Sequence, residues 1–378
     1  MADVASLENL ATPSLMLDET IMLRNIERLE RRLAALKVSA RPHLKTVKSV
    51  DAARCVLRNA SGATVSTLRE AEVFARAGVT DILYCVGIAP QKLPRVLALR
   101  ATGCDLVVIL DSLAQARAVA EASRKAGAAI PALIEIDCDG HRSGLAPGDP
   151  TVVEIARILV HEGAELRGVV AHAGESYGAR GEASLVAFAE QERDAVVAAV
   201  ARLEAAGFAC PVVSVGSTPT AHFARDLSGV TEVRAGVYVF FDLVQAGIGI
   251  CGLEDIALSV LTTVIGHQRE RGWIMIDAGW MALSRDRGTA SQPVDQGYGV
   301  VCDIEGRVLD GLIVAATNQE HGIIAARPGS AVQLPEMAVG TMLRILPNHA
   351  CATAAQFDGY QVLTAAGGLD YWPRFRGW

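Results

Sequence analysis

The chain has 378 residues, 51% of them hydrophobic but only 5% aromatic, with 35 basic residues against 42 acidic ones for a net charge of −7. That length accommodates one large domain and a smaller one, and a core drawn from Ala, Val, Leu and Ile suits helices packed on buried strands. The acidic balance, without a basic block, argues against nucleic acid or an anionic membrane as partner, and no uncharged run nears the roughly 18 residues a membrane span requires. The first residues lack a basic region followed by an apolar run, so no signal peptide is expected. The cysteines are scattered without a Cys-x-x-Cys spacing, which predicts a reduced, cytoplasmic protein.

A short apolar segment, 12–18, precedes a helical pattern over 19–36, where Ile21, Leu23, Ile26, Leu29 and Leu33 recur at three- and four-residue spacing. Strand-like runs then end near Leu44, Ser66, Cys85, Leu110, Asp137, Ala171, Val215 and Arg234. Ala/Glu/Arg-rich helical windows such as 112–125, 151–162 and 185–206 lie between them. This alternation predicts an N-terminal TIM-like (β/α)8 barrel. An open doubly wound sheet is the alternative, but no Gly-x-Gly-x-x-Gly turn follows the first strand. Beyond about residue 250 the helical windows stop, and β-rich runs with Gly and Pro turns follow at 259–268, 272–278, 298–304, 312–316 and 341–346. The expected fold is therefore α/β, with a barrel over 12–250 and an all-β domain over 251–378 joined by residues 1–11.

Functional groups of such a barrel collect at the C-terminal ends of its strands. Those positions hold Lys45, Arg142 and His172, then the turn Ser214-Val215-Gly216-Ser217-Thr218-Pro219-Thr220, then Arg234-Ala235-Gly236-Val237-Tyr238. The first turn combines glycine, hydroxyls and amides in a form suited to phosphate, and Gly236 and Val237 can add amides to it. A lysine facing a phosphate site predicts a Schiff base to a phosphorylated aldehyde, pyridoxal phosphate. Arg41 and Lys48 are placed to lower the pKa of Lys45. Glu135 and Asp137 share a strand face and are read as holding Arg142 or as ordinary polar packing.

In the β domain, Leu346-Pro347-Asn348-His349-Ala350-Cys351 reads as a strand, which puts His349 and Cys351 on one face. Imidazole and thiolate together favour zinc among divalent metals, and two protein ligands leave positions open for a Lewis-acid role. His321 is read as a support of this pair or a satisfied buried histidine. Arg285-Asp286-Arg287 is read as a charged loop or a contact for a substrate carboxylate. His161 sits at the end of a helical window among charged residues and is read as solvated, and His222 and His267 have no chemical neighbours in sequence.

Together these motifs resemble the fold-type III pyridoxal-phosphate enzymes, alanine racemase-like at the barrel, and more closely the D-serine dehydratase and D-threonine aldolase branch. Arg41-Pro42-His43-Leu44-Lys45 resembles the branch's lysine motif. The stretch Glu135-Ile136-Asp137-Cys138-Asp139-Gly140-His141-Arg142-Ser143-Gly144 resembles the motif whose arginine contacts the cofactor ring. Segments 214–220 and 232–238 resemble its phosphate turns, Asp277-Ala278-Gly279 its entry to the β domain, and Arg234 falls where alanine racemases place the arginine facing the pyridine nitrogen. His349 and Cys351 resemble the metal pair of the D-serine dehydratases, whereas the aldolases more often carry an acid at the second ligand position. Over its whole length the chain is most similar to the bacterial D-threo-3-hydroxyaspartate dehydratases.

The resemblance implies a pyridoxal-phosphate lyase with Lys45, His349 and Cys351 as catalytic residues. It implies Lys45, Arg142, His172, Ser217, Thr218, Arg234, Gly236, Val237 and Tyr238 on the cofactor, and a divalent metal (Zn2+, or else Mn2+, Co2+ or Mg2+) on His349 and Cys351. The implied reaction converts a D-3-hydroxy amino acid, above all D-threo-3-hydroxyaspartate and also D-serine, to a 2-oxo acid and ammonia. The alternative is retro-aldol cleavage to glycine and an aldehyde. A non-catalytic pyridoxal-phosphate carrier is disfavoured by the β domain, and a homodimer is expected.

Overall fold

The computed structural model describes residues 7–140 and 142–378; residues 1–6 and His141 of the arginine motif lie outside the described residues. Two compact units are present. One comprises Arg28–Gly236 with Gly377–Trp378, the other Val237–Arg376 with the chain up to Glu27. Strand β1 (Ser14–Asp18) belongs to the second unit and leads into the helix Glu19–Ala35, inside which the division falls.

The first unit is built on β2 (Ser39–Ala40), β3 (Ala63–Val65), β4 (Asp81–Gly87), β5 (Asp105–Leu110), β6 (Pro131–Ile136), β7 (Glu165–Ala171), β8 (Val212–Val215) and β9 (Glu232–Val233). These eight strands form a parallel sheet in the order β2-β9-β8-β7-β6-β5-β4-β3. Just past β2, His43 makes an isolated parallel bridge to Thr64 of β3, and the Leu44 amide reaches the Thr64 carbonyl at 2.8 Å, so the first and last strands of the sheet meet. All six residues of β6 are buried, as expected where helices cover one face and the barrel interior the other. Leu83, Val107, Ile109, Leu133 and Val170 form the interior cluster, with Cys85 and Val212 packed against it. These residues alternate along their strands with neighbours facing the helices.

The helices begin where caps permit. Thr67 accepts the Glu70 amide at 3.0 Å ahead of helix Leu68–Arg76, and Ser112 serves helix Leu113–Ala126 in the same way. The second of these stops at Gly127, whose φ of +62° is the left-handed cap that favours glycine.

The second unit adds β10 (Leu258–Gln268), β11 (Trp273–Ile276), β12 (Val300–Cys302), β13 (Val308–Thr317), β14 (Gly322–Ala326), β15 (Met342–Leu346), β16 (Gly359–Leu363) and β17 (Leu369–Pro373). The order β11-β14-β13-β12-β15-β10, with β11 also pairing β10, closes an antiparallel barrel. Outside it β1 pairs antiparallel with β10 and parallel with β16. Segment 12–18, grouped by sequence with the parallel barrel, thus contributes its strand to the antiparallel sheet. A five-residue apolar strand carries no mark of which sheet it will join. Three short helices, Leu243–Ile248, Trp280–Leu283 and Ala350–Ala354, also occur in this unit. Among the described residues no helix is long and apolar enough to cross a membrane.

Candidate active site

Each barrel residue singled out by sequence lies just past a strand: Lys45 after β2, Arg142 after β6, His172 after β7, Ser217 and Thr218 after β8, Arg234 and Gly236 after β9. Their charges act on one space. Burial, then the charges of Lys45, Arg234, His172 and Arg142, holds the pKa of His43 well below its usual value. His172 is similarly depressed to about 3 by burial and by Arg234, Arg142 and Lys45, against the opposing bond to Gly216. It is therefore neutral at pH 7, and its Nδ1 sits 3.0 Å from the Gly216 carbonyl, which only accepts. The proton is on Nδ1.

Arg234 is only 3% exposed and is held from several sides. Its Nε donates to Ser214 Oγ at 2.8 Å and its NH1 to Cys85 Sγ at 3.2 Å, with a further bond to the Ala171 carbonyl. Ser214 in turn donates to Glu232 Oε1 at 2.7 Å, and Arg41 Nε donates to Glu232 Oε2 at 2.6 Å. The remaining Arg41 nitrogens fork onto Asp81 at 2.7 and 2.9 Å. Bidentate, charge-assisted contacts of this kind fix position. Arg41 is thus engaged with two carboxylates, and Lys48 pairs with Glu70 at 3.1 Å. Neither brings an uncompensated charge to Lys45. The cations that share its space are Arg142 and Arg234. Arg142 reaches Glu135 at 3.6 Å, while Asp137 turns away to accept the Asp139 and Gly140 amides at 3.1 and 2.7 Å.

The turn after β8 depends on Gly216, whose φ is +130° and where a Cβ would lie 2.7 Å from the Arg234 nitrogen. Ser217 then caps helix Thr218–Phe223, exchanging bonds with Thr220 at 3.0 and 3.2 Å. Sequence reasoning missed Glu192, which is 1% exposed on helix Glu182–Ala205. Its carboxylate accepts the Ala173 amide at 2.9 Å, the Gly216 amide at 3.0 Å and the Thr220 hydroxyl at 2.7 Å. The turn expected to offer these groups to phosphate directs them inward. A signal was available, since Glu192 interrupts the apolar stripe Leu185, Ala189, Val196, Ala199. At Gly236, a Cβ would approach the His43 carbonyl to 3.0 Å and Thr46 Oγ1 to 3.2 Å, so glycine lets this turn lie close against the Lys45 loop. Val237 and Tyr238 follow, buried in a 3-10 turn.

In the second unit the segment carrying His349 and Cys351 is not a strand. β15 ends at Leu346, His349 is extended at φ −135°, and Cys351 lies in the helix Ala350–Ala354. The two side chains still converge, because one residue of extended chain followed by a helical turn brings i and i+2 together. Asp286 Oδ2 lies 2.6 Å from His349 Nδ1. Burial opposes charge on His349, but the hydrogen bonds to Asp286 and Cys351 outweigh it and raise its pKa to about 11. Among the described residues no three His, Cys, Asp or Glu side chains form a complete metal cage. The run Arg285-Asp286-Arg287 divides its tasks: Arg285 stacks on Trp280 at 4.1 Å, Asp286 serves His349, and Arg287 pairs with Asp295 at 2.5 Å. His321 is exposed on the turn between β13 and β14, so it is not a buried histidine.

Residues 17–244 match the model described as "Alanine racemase, N-terminal domain". The chain belongs to the alanine racemase-like family of fold-type III pyridoxal-phosphate enzymes. Residues 257–363 match the "Putative serine dehydratase domain". Among members of the family, D-threo-3-hydroxyaspartate dehydratase of Delftia sp. (strain HT23) is 55% identical over 377 residues, covering 99% of both chains. A variant of D-threo-3-hydroxyaspartate dehydratase in the metal-free form superposes with a TM-score of 0.96 at 54% identity, over 98% of this chain and 99% of that one. D-threonine aldolase from Filomicrobium marinum gives a TM-score of 0.80 at 28% identity, over 97% and 96%.

The residues present fit the family's cofactor. A lysine, an anchored arginine and a neutral histidine share one space, and a Cβ would collide with the Arg234 backbone at Gly216 and crowd the His43 carbonyl at Gly236. The second unit fits a cation, because carboxylate and thiol converge on an imidazole and favour positive charge there. That charge is a proton on His349 or a metal in its stead.

Proposed function

We propose that this chain is a pyridoxal-phosphate- and divalent-metal-dependent dehydratase of D-3-hydroxy amino acids, acting foremost on D-threo-3-hydroxyaspartate and also on D-serine. The observation that carries the reading is 55% identity along 99% of both chains to an enzyme of that name, with His349 and Cys351 converging in the second unit. Lys45 holds the cofactor and, when substrate takes its place, accepts the α-proton at Nζ. Pyridoxal phosphate supplies the electron sink for that step. Arg234, fixed by Ser214 and Ala171, sets the ring, with Arg142 and the neutral His172 beside it. With the Ser217 amide given to Thr220 Oγ1, the backbone of the Thr218 and Gly236 turns would receive the phosphate.

His349 and Cys351 would hold a divalent metal, zinc by their donor types, and a metal there would supply Lewis-acid activation of the 3-hydroxyl as a leaving group. With Nδ1 committed to Asp286, Nε2 is the His349 nitrogen that would serve a metal. Loss of water and hydrolysis convert hydroxyaspartate to oxaloacetate and ammonia. The enzyme works in the cytoplasm as a homodimer.

Product analysis tests the proposal. Purified enzyme with pyridoxal phosphate and Zn2+ is given D-threo-3-hydroxyaspartate, D-serine and D-threonine in turn. Ammonia with a 2-oxo acid, fastest from hydroxyaspartate, is expected. Glycine with an aldehyde would make the chain an aldolase instead.

A further inference from the structure

We propose that Asp242 is a positioning residue of the metal pair: its carboxylate sets the turn from which His349 and Cys351 project, and its loss weakens metal binding while both ligands remain. The inference rests on the reading of His349 and Cys351 as ligands. Asp242 is 1% exposed, and both of its oxygens are in use. Oδ1 accepts the Gln245 amide at 3.0 Å, the ordinary task of an N-cap for helix Leu243–Ile248. Oδ2 accepts the Ala350 amide at 2.9 Å from a position 108 residues away in sequence.

Ala350 stands between the two ligands. The peptide carrying its N–H joins His349 to Ala350, so the orientation of that peptide governs how the imidazole and the thiol diverge. His349 occupies the N-cap position of helix Ala350–Ala354 without a side-chain capping bond. Asp242 therefore satisfies at long range an amide that a local cap leaves open.

Neighbouring bonds brace the same contact. The Leu243 amide donates to the Pro347 carbonyl at 3.1 Å and the Val244 amide to the Asn348 carbonyl at 3.2 Å. Asn348, itself 2% exposed, accepts the Thr289 hydroxyl at 2.5 Å and donates to the Gly297 carbonyl at 2.7 Å. His349 thus follows one buried anchor and precedes another. A cap needs one acceptor, and serine or asparagine supplies it; the second carboxylate oxygen exceeds that need and is committed to the metal turn. Partners behind a metal ligand typically carry about 10- to 100-fold in affinity.

Asp242→Asn separates the two tasks, because asparagine caps well but has one acceptor oxygen and offers N–H groups to the other amide. The cofactor-loaded enzyme is stripped of metal and titrated with Co2+, following the thiolate-to-cobalt absorbance. The expected result is a Kd raised about tenfold or more, an altered cobalt spectrum and unchanged cofactor absorbance. Asp242→Ser, which retains a cap and is too short to reach Ala350, gives the same result and substitutes if the first variant does not fold. Ser112→Ala, which removes a cap on a barrel helix, controls for general destabilisation and leaves the Kd within twofold of the starting enzyme. Cobalt binding by both Asp242 variants within twofold of the starting enzyme overturns the inference. Absence of a cobalt band lost in Cys351→Ala overturns the metal reading and the inference with it.

Discussion

Asp286 Oδ2 and His349 Nδ1 lie 2.6 Å apart, a charge-assisted bond between side chains 63 positions apart in the chain. It holds the imidazole in one orientation, with the opposite ring nitrogen left for the proposed metal. Asp286→Ala is expected to weaken metal affinity about 10- to 100-fold and to lower turnover at limiting metal, with recovery when metal is raised. Activity against Zn2+ concentration checks this; a curve coincident with the unaltered enzyme contradicts it.

Lys45→Ala should abolish turnover and the visible absorbance of lysine-bound cofactor together. Arg41→Ala differs in kind, because Arg41 is engaged with Glu232 and Asp81. Removing it leaves the buried Glu232 carboxylate without its arginine, accepting from the Ser214 hydroxyl, a loss on the order of 3–5 kcal/mol in stability. Denaturant midpoints and cofactor spectra of the two variants separate these effects.

Chelation should stop turnover while the cofactor spectrum persists, since the proposed metal ligands His349 and Cys351 are distinct from Lys45. Readdition of Zn2+ should restore activity. Full activity after complete metal removal, verified by elemental analysis, contradicts the Lewis-acid role.

His222 is 6% exposed, and burial, with Arg28 and Arg32 nearby, lowers its pKa to about 4 against the opposing bond to the Thr218 carbonyl. The unfolded chain takes up a proton at about pH 6.5 while the native state does not. His222 therefore contributes no pH-dependence above that value, and stability falls as pH drops from about 6.5 towards 4, by about 1.4 kcal/mol per unit within the window. His222→Asn should flatten this part of the acid limb. Urea midpoints at pH 7, 6 and 5 measure it, and parallel curves for the two proteins contradict it.

Leu133→Ala, in the interior cluster and 1% exposed, should cost about 2–5 kcal/mol through lost burial and the cavity left behind. Calorimetry or urea titration reads the change directly.

Much of the barrel was legible in the chain itself. Apolar runs of strand length alternating with helical windows specify a parallel sheet with covered faces, and the ends of those runs carry Lys45, Arg142, His172, Ser217 and Arg234. That pattern is local, since periodicity and turn chemistry act over a few residues. The partners of these groups are not local. Glu192 beneath the Gly216 turn, Asp286 on His349, Asp242 on Ala350, and the engagement of Arg41 with Glu232 join residues that only folding brings together. The strand Ser14–Asp18 likewise reads as apolar whichever sheet it enters, and pairing with β10 and β16 decided the matter. Sequence by itself thus determined which side chains stand at the strand ends, because their positions follow local structure. Tertiary structure decided how each is charged, oriented and held, because a hydrogen bond or buried ion pair depends on distance in space rather than along the chain.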